Sequence, residues 1–343
     1  MRAGEAEVLI EAENWRKAGR RVAVATVVET WGSAPRPVGS RLVVDDQGLF
    51  LGSVSGGCVE GDVVTAALDV IEDGWARLLE FGVADETAWR VGLSCGGRIA
   101  VYVERVDDLE MLGALNREHA ARRPCILVEP LDGGAPRLVR EESFSTDALV
   151  LAARQSLGAE TSGAVTYGGR RYFIGVETPP LRLILVGAVH VAQALAPMAE
   201  LAGFDVVIVD PRVAFAARQR FPATRLLAEW PDLVLPALGL DAYTAVATLT
   251  HDPKIDDPAL RCALASGCFY VGALGSKKTH ARRIERLRAS GLETATIARL
   301  HAPIGLDIGA ATPAEIAVAV LGEIIAAWRS GAAGARRPVA LSA

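Results

Sequence analysis

The chain has 343 residues, 51% hydrophobic and 22% charged, the balance of a folded protein with more than one core. Its 36 basic and 41 acidic residues leave a net charge of −5, which gives no case for nucleic acid or an anionic membrane as partner. Five cysteines in a chain this long argue against a disulfide framework and for reduced thiols.

In chain order, residues 4–19 predict an amphipathic helix with Val8, Leu9 and Trp15 on its apolar side. The charged N-terminal stretch lacks the apolar core of a signal peptide, and no run of about 18 apolar residues escapes a polar break. A cytoplasmic protein is expected. RVAVATVVET reads as a strand, and TWGSAPRPVGSR (30–41) as a polar loop stiffened by two prolines, with Arg36 and Arg41 as forked donors for an anion. RLVVDDQGLFLGSV predicts a hairpin turning near DDQG. SVSGGCVEGD (53–62) then runs into a helix that ends on Gly74. RIAVYVERV is a further strand, DDLEMLGALNREHAARR a helix, and GAVTYGGRRYFIGVE a hairpin with a Gly-Gly turn.

TPP at 178–180 breaks both helix and sheet and marks the joint between two domains. Beyond it, LRLILVG, FDVVIVD, AYTAVATLTH and GCFYVGALGS are apolar strands alternating with helices, the pattern of a parallel sheet. The expected fold class is α/β: a mixed α+β domain over 1–177, a Rossmann-like doubly wound domain over 181–330, and a mobile tail over 331–343. Cys125 and Cys268 flank strand-like runs and Cys262 sits in a helical one, so all three read as core residues.

The candidate chemistry lies in loops. Ser55, Gly56, Gly57 and Cys58 form a glycine-rich turn before a helix, where free N–H groups and the positive dipole end would favour a thiolate or hold an anion. GLSCGGR (92–98) repeats these residue types with Cys95, Gly96 and Gly97. The CxxC and HxxxH spacings of structural zinc and the G-x-S-x-G elbow of a serine hydrolase are missing. In the second domain, LVGAVHVAQAL puts Gly187, Val189 and Ala192 at the positions of a dinucleotide fingerprint, and valine in the middle blocks close approach of a pyrophosphate. Asp210 ends the next strand, where a ribose-binding acid would stand, and Arg212 offers a phosphate contact instead. A Rossmann domain with a nucleotide and one without both remain open. His251 beside Asp252 follows a core strand at the ligand-binding edge and is either functional or part of a helix cap. Lys278, Arg282 and Arg286 share a helical face, either solvated or phosphate-binding, and Thr312, Pro313 and Glu315 spell a capping box.

ATVVETWGSAPRPVGSRLVV, GSVSGGCVEGDV and LSCGGRI resemble the N-terminal domain of the XdhC/CoxI family, accessory factors for xanthine-dehydrogenase-type molybdenum hydroxylases. The segment from LILVGAVHVAQAL to VIVDPR, with TLTHDP, YVGALGSKKTHARRIERL and PIGLDIGAATPAEIAVAVLGEII, resembles the family's Rossmann domain. The resemblance implies a carrier that binds molybdenum cofactor, as molybdopterin or its cytosine dinucleotide form. It also implies support for sulfuration with a cysteine desulfurase, and transfer of the cofactor to an apo molybdenum hydroxylase. By the same resemblance Cys58 and Cys95 become candidate molybdenum contacts, Gly187 and His190 are retained family positions, and a homodimer is expected. Val189 departs from the family's glycine in a turn written G-A-G-H. The competing function is an NAD(P)-dependent oxidoreductase using the Rossmann domain, with His251 as its acid/base.

Overall fold

A computed structural model describes residues 3–82, 97–141 and 146–335. The chain divides into two compact units, residues 4–179 and 180–334.

The first unit carries two antiparallel sheets. Helix α1 (Ala3–Lys17) buries Val8, Leu9, Ala12 and Trp15, as its apolar spacing requires. Strands β1 (Val22–Trp31), β2 (Arg41–Asp45) and β3 (Phe50–Gly52) follow, then α2 (Glu60–Asp73), β4 (Arg77–Phe81) and β5 (Arg98–Arg105). These strands form a sheet ordered β3-β2-β1-β5-β4. The β2–β3 turn is held by Asp45, whose Oδ1 accepts from the amides of Gln47 and Leu49 at 2.9 and 2.8 Å. Helix α2 stops at Gly74, whose φ of 78° is the left-handed conformation that closes a helix C-terminus. The second sheet is built after α3 (Leu109–Ala120) from β6 (Cys125–Pro130), β7 (Arg137–Arg140), β8 (Gly163–Tyr167) and β9 (Arg170–Glu177), ordered β7-β6-β9-β8, with α4 (Ala148–Gly158) between β7 and β8.

Strand alternation sorts the first sheet into two faces. Ala23, Ala25 and Val27 of β1, Leu42 and Val44 of β2, and Ile99, Val101 and Val103 of β5 pack with α2 in one core. The intervening residues, including Val24, Thr26, Arg41, Tyr102 and Glu104, turn to the opposite face.

The second unit is a parallel sheet of β10 (Arg182–Val186), β11 (Asp205–Val209), β12 (Arg225–Leu227), β13 (Thr244–Thr248), β14 (Tyr270–Ala273) and β15 (Leu300–His301), ordered β12-β11-β10-β13-β14-β15. Helices α5 (His190–Leu201), α6 (Pro231–Leu238), α7 (Pro253–Ala265), α8 (Lys277–Ala289), α9 (Thr294–Ile297) and α10 (Pro313–Ala335) complete it. Two separate apolar cores cover the two faces of the sheet, one containing α5 and α10 residues, the other α7 residues. That is the doubly wound Rossmann architecture, and the order reverses between β10 and β13. The capping box forms: Glu315 accepts from the amides of Ala311 and Thr312 at 2.8 and 2.9 Å, and its own amide donates to the Thr312 hydroxyl. Helix α10 carries through to Ala335, so residues 331–335, expected in a tail, are helical; the remaining tail lies outside the described residues. Among the described residues no helix is long and apolar enough to cross a membrane.

Within the first unit, one buried ion pair links the two sheets. Arg41 of β2 is 2% exposed and donates through Nη1 and Nη2 to Oε2 and Oε1 of Glu177 on β9, at 3.1 and 2.5 Å. His119 Nε2 of α3 stands 3.3 Å from the same carboxylate. Burial pushes the Glu177 carboxyl up, but Arg41 and His119 outweigh it and hold it well below the usual carboxylate range. Removing Glu177 takes the bidentate carboxylate away from a buried guanidinium, so Glu177→Leu should lower the free energy of unfolding by about 3–5 kcal/mol in urea titrations. Adding Arg41→Met should restore much of the loss, because an apolar pair leaves no uncompensated charge. A single variant as stable as the parent would show that the pair does not carry the sheet contact.

Candidate functional site

The loop 53–59 is organised by an acid that follows it. Glu60, the first residue of α2, turns its carboxylate back under the loop. Its Oε1 accepts from the Ser53 hydroxyl (2.6 Å) and the amides of Val54 (3.2 Å) and Ser55 (2.9 Å). Its Oε2 accepts from the Ser55 hydroxyl (2.5 Å) and the Gly57 amide (2.8 Å). The remaining amides are taken nearby: Gly56 donates to the Ser53 hydroxyl, and Cys58 and Val59 both donate to that of Ser55. Gly56 and Gly57 have φ of 76° and 113°, values that glycine adopts without strain and that let the chain wrap the carboxylate.

The amides that the sequence assigns to an external anion or a Cys58 thiolate are therefore occupied by the protein's own groups. The reach of one Glu side chain accounts for this. Burial alone would raise the Glu60 carboxyl, but the two serine hydroxyls and the loop amides hold it down at about 2. What the loop presents outward is Cys58, which is exposed.

The 30–41 loop closes on this one, and the start of β5 packs against the 30–41 loop in turn. Arg36 donates from Nε to the Ser53 carbonyl at 3.2 Å, so its role in the fold is to tie the 30–41 loop to the 53–59 loop. A Cβ on Gly97 would lie 2.4 Å from the Ser33 carbonyl oxygen, so only glycine fits where the chain re-enters at β5. Arg98 stacks its guanidinium over the Trp31 ring at 4.8 Å. Arg36, Ser55, Gly56, Gly57, Cys58 and Gly97 thus belong to one cluster, while Cys95 and Gly96 lie outside the described residues. Cys125 and Cys268 are buried, and Cys262 is half-buried in α7.

The Rossmann turn is also internally bound. A Cβ on Gly187 would fall 2.7 Å from the Thr250 methyl, so this glycine is needed for the contact between the β10 and β13 loops. Val189 starts α5 without a side-chain cap, and His190 beside it is exposed. Asp210 is fully buried: Oδ2 accepts from the Ala188 amide (2.8 Å) and Arg212 Nη2 (2.7 Å), and Oδ1 from the amide and Nε of Arg212 (both 2.9 Å). Burial raises the Asp210 carboxyl, and Arg212 with the two amides more than reverses it. Asp210 and Arg212, offered by the sequence as alternative nucleotide contacts, are each other's partners. His251 is exposed with a φ of 63°, a left-handed residue in the turn where Asp252 caps α7 through the Lys254 amide. Arg286 pairs with Asp257, while Lys278 and Arg282 are exposed.

Sequence reading passed over Glu60. Its signal was present: an acid at the first helical position, just after serine and two glycines, is the place from which a side chain reaches back to uncapped amides. Glu60→Gln should destabilise the fold by about 2 kcal/mol, since charge-assisted bonds are lost and one amide donor is misplaced. The folded-state value lies below the unfolded one, so the carboxylate stabilises the fold above about pH 4.5 and that contribution fades as pH falls towards 2. Urea titrations between pH 2 and 6 should show a shallower acid slope for the variant; parallel slopes would mean that Glu60 does not hold the loop.

Comparison with known proteins matches both units. The XdhC and CoxI family model covers residues 15–82, and the XdhC Rossmann domain model covers residues 183–324. The molybdenum cofactor insertion chaperone PaoD of Escherichia coli (strain K12) is 29% identical over 308 residues, 89% of this chain and 83% of that protein. A probable xanthine dehydrogenase subunit of Bacillus subtilis (strain 168) is 28% identical over 315 residues, 88% of this chain and 92% of its own length. The fold is shared with a crystal structure described as a xanthine dehydrogenase from Bacillus halodurans, at a TM-score of 0.73 and 24% identity over 95% of this chain and 96% of that one. With both of its units matched in this way, the chain belongs to the XdhC and CoxI family.

Proposed function

We propose that the protein is a maturation factor that carries molybdenum cofactor to an apo molybdenum hydroxylase, with Cys58 at the point of contact. The observation that carries this reading is an exposed thiol on a loop locked from beneath by Glu60, in a chain related to a molybdenum cofactor insertion chaperone. Among the described residues no group of three or more His, Cys, Asp or Glu side chains gathers to hold a bare metal ion. That donor set suits a metal that arrives already chelated, for which one thiolate is a sufficient protein ligand. The loop amides are in use, so the cofactor's phosphate would have to look to arginines instead, and Arg36 and Arg98 border the loop cluster. Cys95 is the second candidate contact. Held on the protein, the cofactor would be presented to a cysteine desulfurase for sulfuration, and Cys58 is the thiol placed to steady it.

The oxidoreductase reading draws less support. A dinucleotide would need the Asp210 carboxylate for its ribose, and that carboxylate is buried and fully bonded to Ala188 and Arg212. Val189 stands where the phosphates would approach the α5 terminus.

Purified anaerobically from a host that makes the cofactor, the protein should carry near-stoichiometric molybdenum and pterin, and Cys58→Ser should reduce both to background with an unchanged melting temperature. Cofactor retained by the variant would remove Cys58 from the contact. Its absence from the parent, with cofactor in excess, would end the carrier reading.

A further inference from the structure

Between the two sheets of the first unit lies a cavity of about 650 Å³, within the range of about 300–1,000 Å³ typical of small-molecule sites. Part of its lining is apolar, made by Leu9, Val24, Leu112, Leu115, Leu127 and Leu131. The rest is charged, and the charges do not balance. Five carboxyls, those of Glu104, Asp107, Asp108, Glu129 and Asp132, stand against two guanidiniums, Arg41 and Arg105.

The acids differ in depth. Asp107, Asp108 and Asp132 are exposed, as is Trp75 at 76%. Asp107 binds Arg105 through both oxygens, Asp132 binds Arg170, and Asp108 caps α3 through the Met111 amide. Glu129 of β6 is 2% exposed, and among the described residues no hydrogen bond reaches its Oε1. Glu104 of β5 faces it, and burial, then the Glu129 charge, hold the Glu104 carboxyl well above the usual range. Arg41 relieves Glu104 in part, while its Nη1 and Nη2 both donate to Glu177. The Tyr102 phenol responds to the same field: burial first, then the charges of Glu104, Glu129 and Asp132, push it up. A buried carboxylate oxygen without a donor is costly, so a cavity that keeps one is suited to a ligand that brings positive charge.

The shape of the lining selects the kind of cation. Among the described residues these acids do not gather in the groups of three or more that would hold a metal ion. An alkylammonium needs an acceptor or two for its head and apolar surface for its chain. The lining supplies a buried acid, apolar walls and further acids at the surface.

We propose that this cavity binds an aliphatic di- or polyamine, with one ammonium on Glu129, the methylenes against the leucines, and a second ammonium among Asp107, Asp108, Asp132 and the Trp75 ring. Its lining includes none of residues 53–60, and the proposal goes beyond cofactor carriage. Its test needs neither molybdenum nor a partner enzyme, so either reading can fail without the other.

Isothermal titration of the full chain with spermidine, putrescine and butylamine tests the site. Spermidine and putrescine should bind saturably and roughly 10-fold more tightly than butylamine, which lacks the second ammonium. Glu129→Gln should weaken putrescine binding roughly 10- to 100-fold. It should also raise the melting temperature of the unliganded chain, because an unmatched buried charge is removed. Should it lower that temperature instead, Trp75→Ala decides alone. That surface substitution should weaken binding several-fold, and Cys58→Ser should leave it unchanged. The proposal is overturned if neither spermidine nor putrescine saturates, or if butylamine binds as tightly as they do. Undiminished binding in either Glu129→Gln or Trp75→Ala overturns it as well.

Discussion

The N-terminal loop cluster depends on the carboxylate of Glu60. Three amides and two hydroxyls converge on its two oxygens, and the serine hydroxyls so fixed accept the amides of residues 56, 58 and 59. A loop with two left-handed glycines would sample many conformations by itself. Tethered at this many points to the first turn of α2, it has one, and Cys58 inherits a defined position through its amide bond to the Ser55 hydroxyl that Glu60 holds. The 30–41 loop is then fixed through Arg36, and the chain entering β5 is fitted against Ser33.

The five-stranded sheet supports different chemistry on its two faces. One face packs with α2, and so carries the Cys58 loop at the start of that helix. The other faces Arg41, Tyr102 and Glu104 toward the second sheet, and Arg41–Glu177 and the Tyr102 hydroxyl on the Pro130 carbonyl are buried ties between them. A one-residue slip of β5 would exchange Glu104 with Val103 and bring a carboxyl into the α2 core, so the cost of burying charge also guards the strand register.

Much of this architecture could be read from the residues. Periodicity located α1, α2 and the parallel strands, Gly74 marked a helix end, and the capping box at Thr312–Glu315 formed as its spacing required. What could not be read has a common physical cause: the partner is chosen by tertiary approach. Glu104 and Glu129 lie on strands of different sheets, and nothing local tells either from a surface glutamate. Gly187 has the place of a phosphate-binding glycine, yet the group pressed against it is the Thr250 methyl. Glu60 was the nearest to being legible, because its partners are its own sequence neighbours, but an acid at a helix start is so common that its dipole role hides any other.

The loop held by Glu60 also bears on how quickly a bound molecule could leave. A ligand meeting Cys58 finds a backbone already ordered, so little conformational entropy is lost on arrival. None of the amides of residues 54–59 would be stripped of its partner on departure, since all donate to Glu60, Ser53 or Ser55. Arrival and departure through such a surface involve no refolding of the loop, and residence time is set by the thiol contact and whatever side chains join it. A carrier that must release its cargo to another protein gains from that arrangement, whereas an enzyme that retains a prosthetic group would be better served by amides left open to hold it.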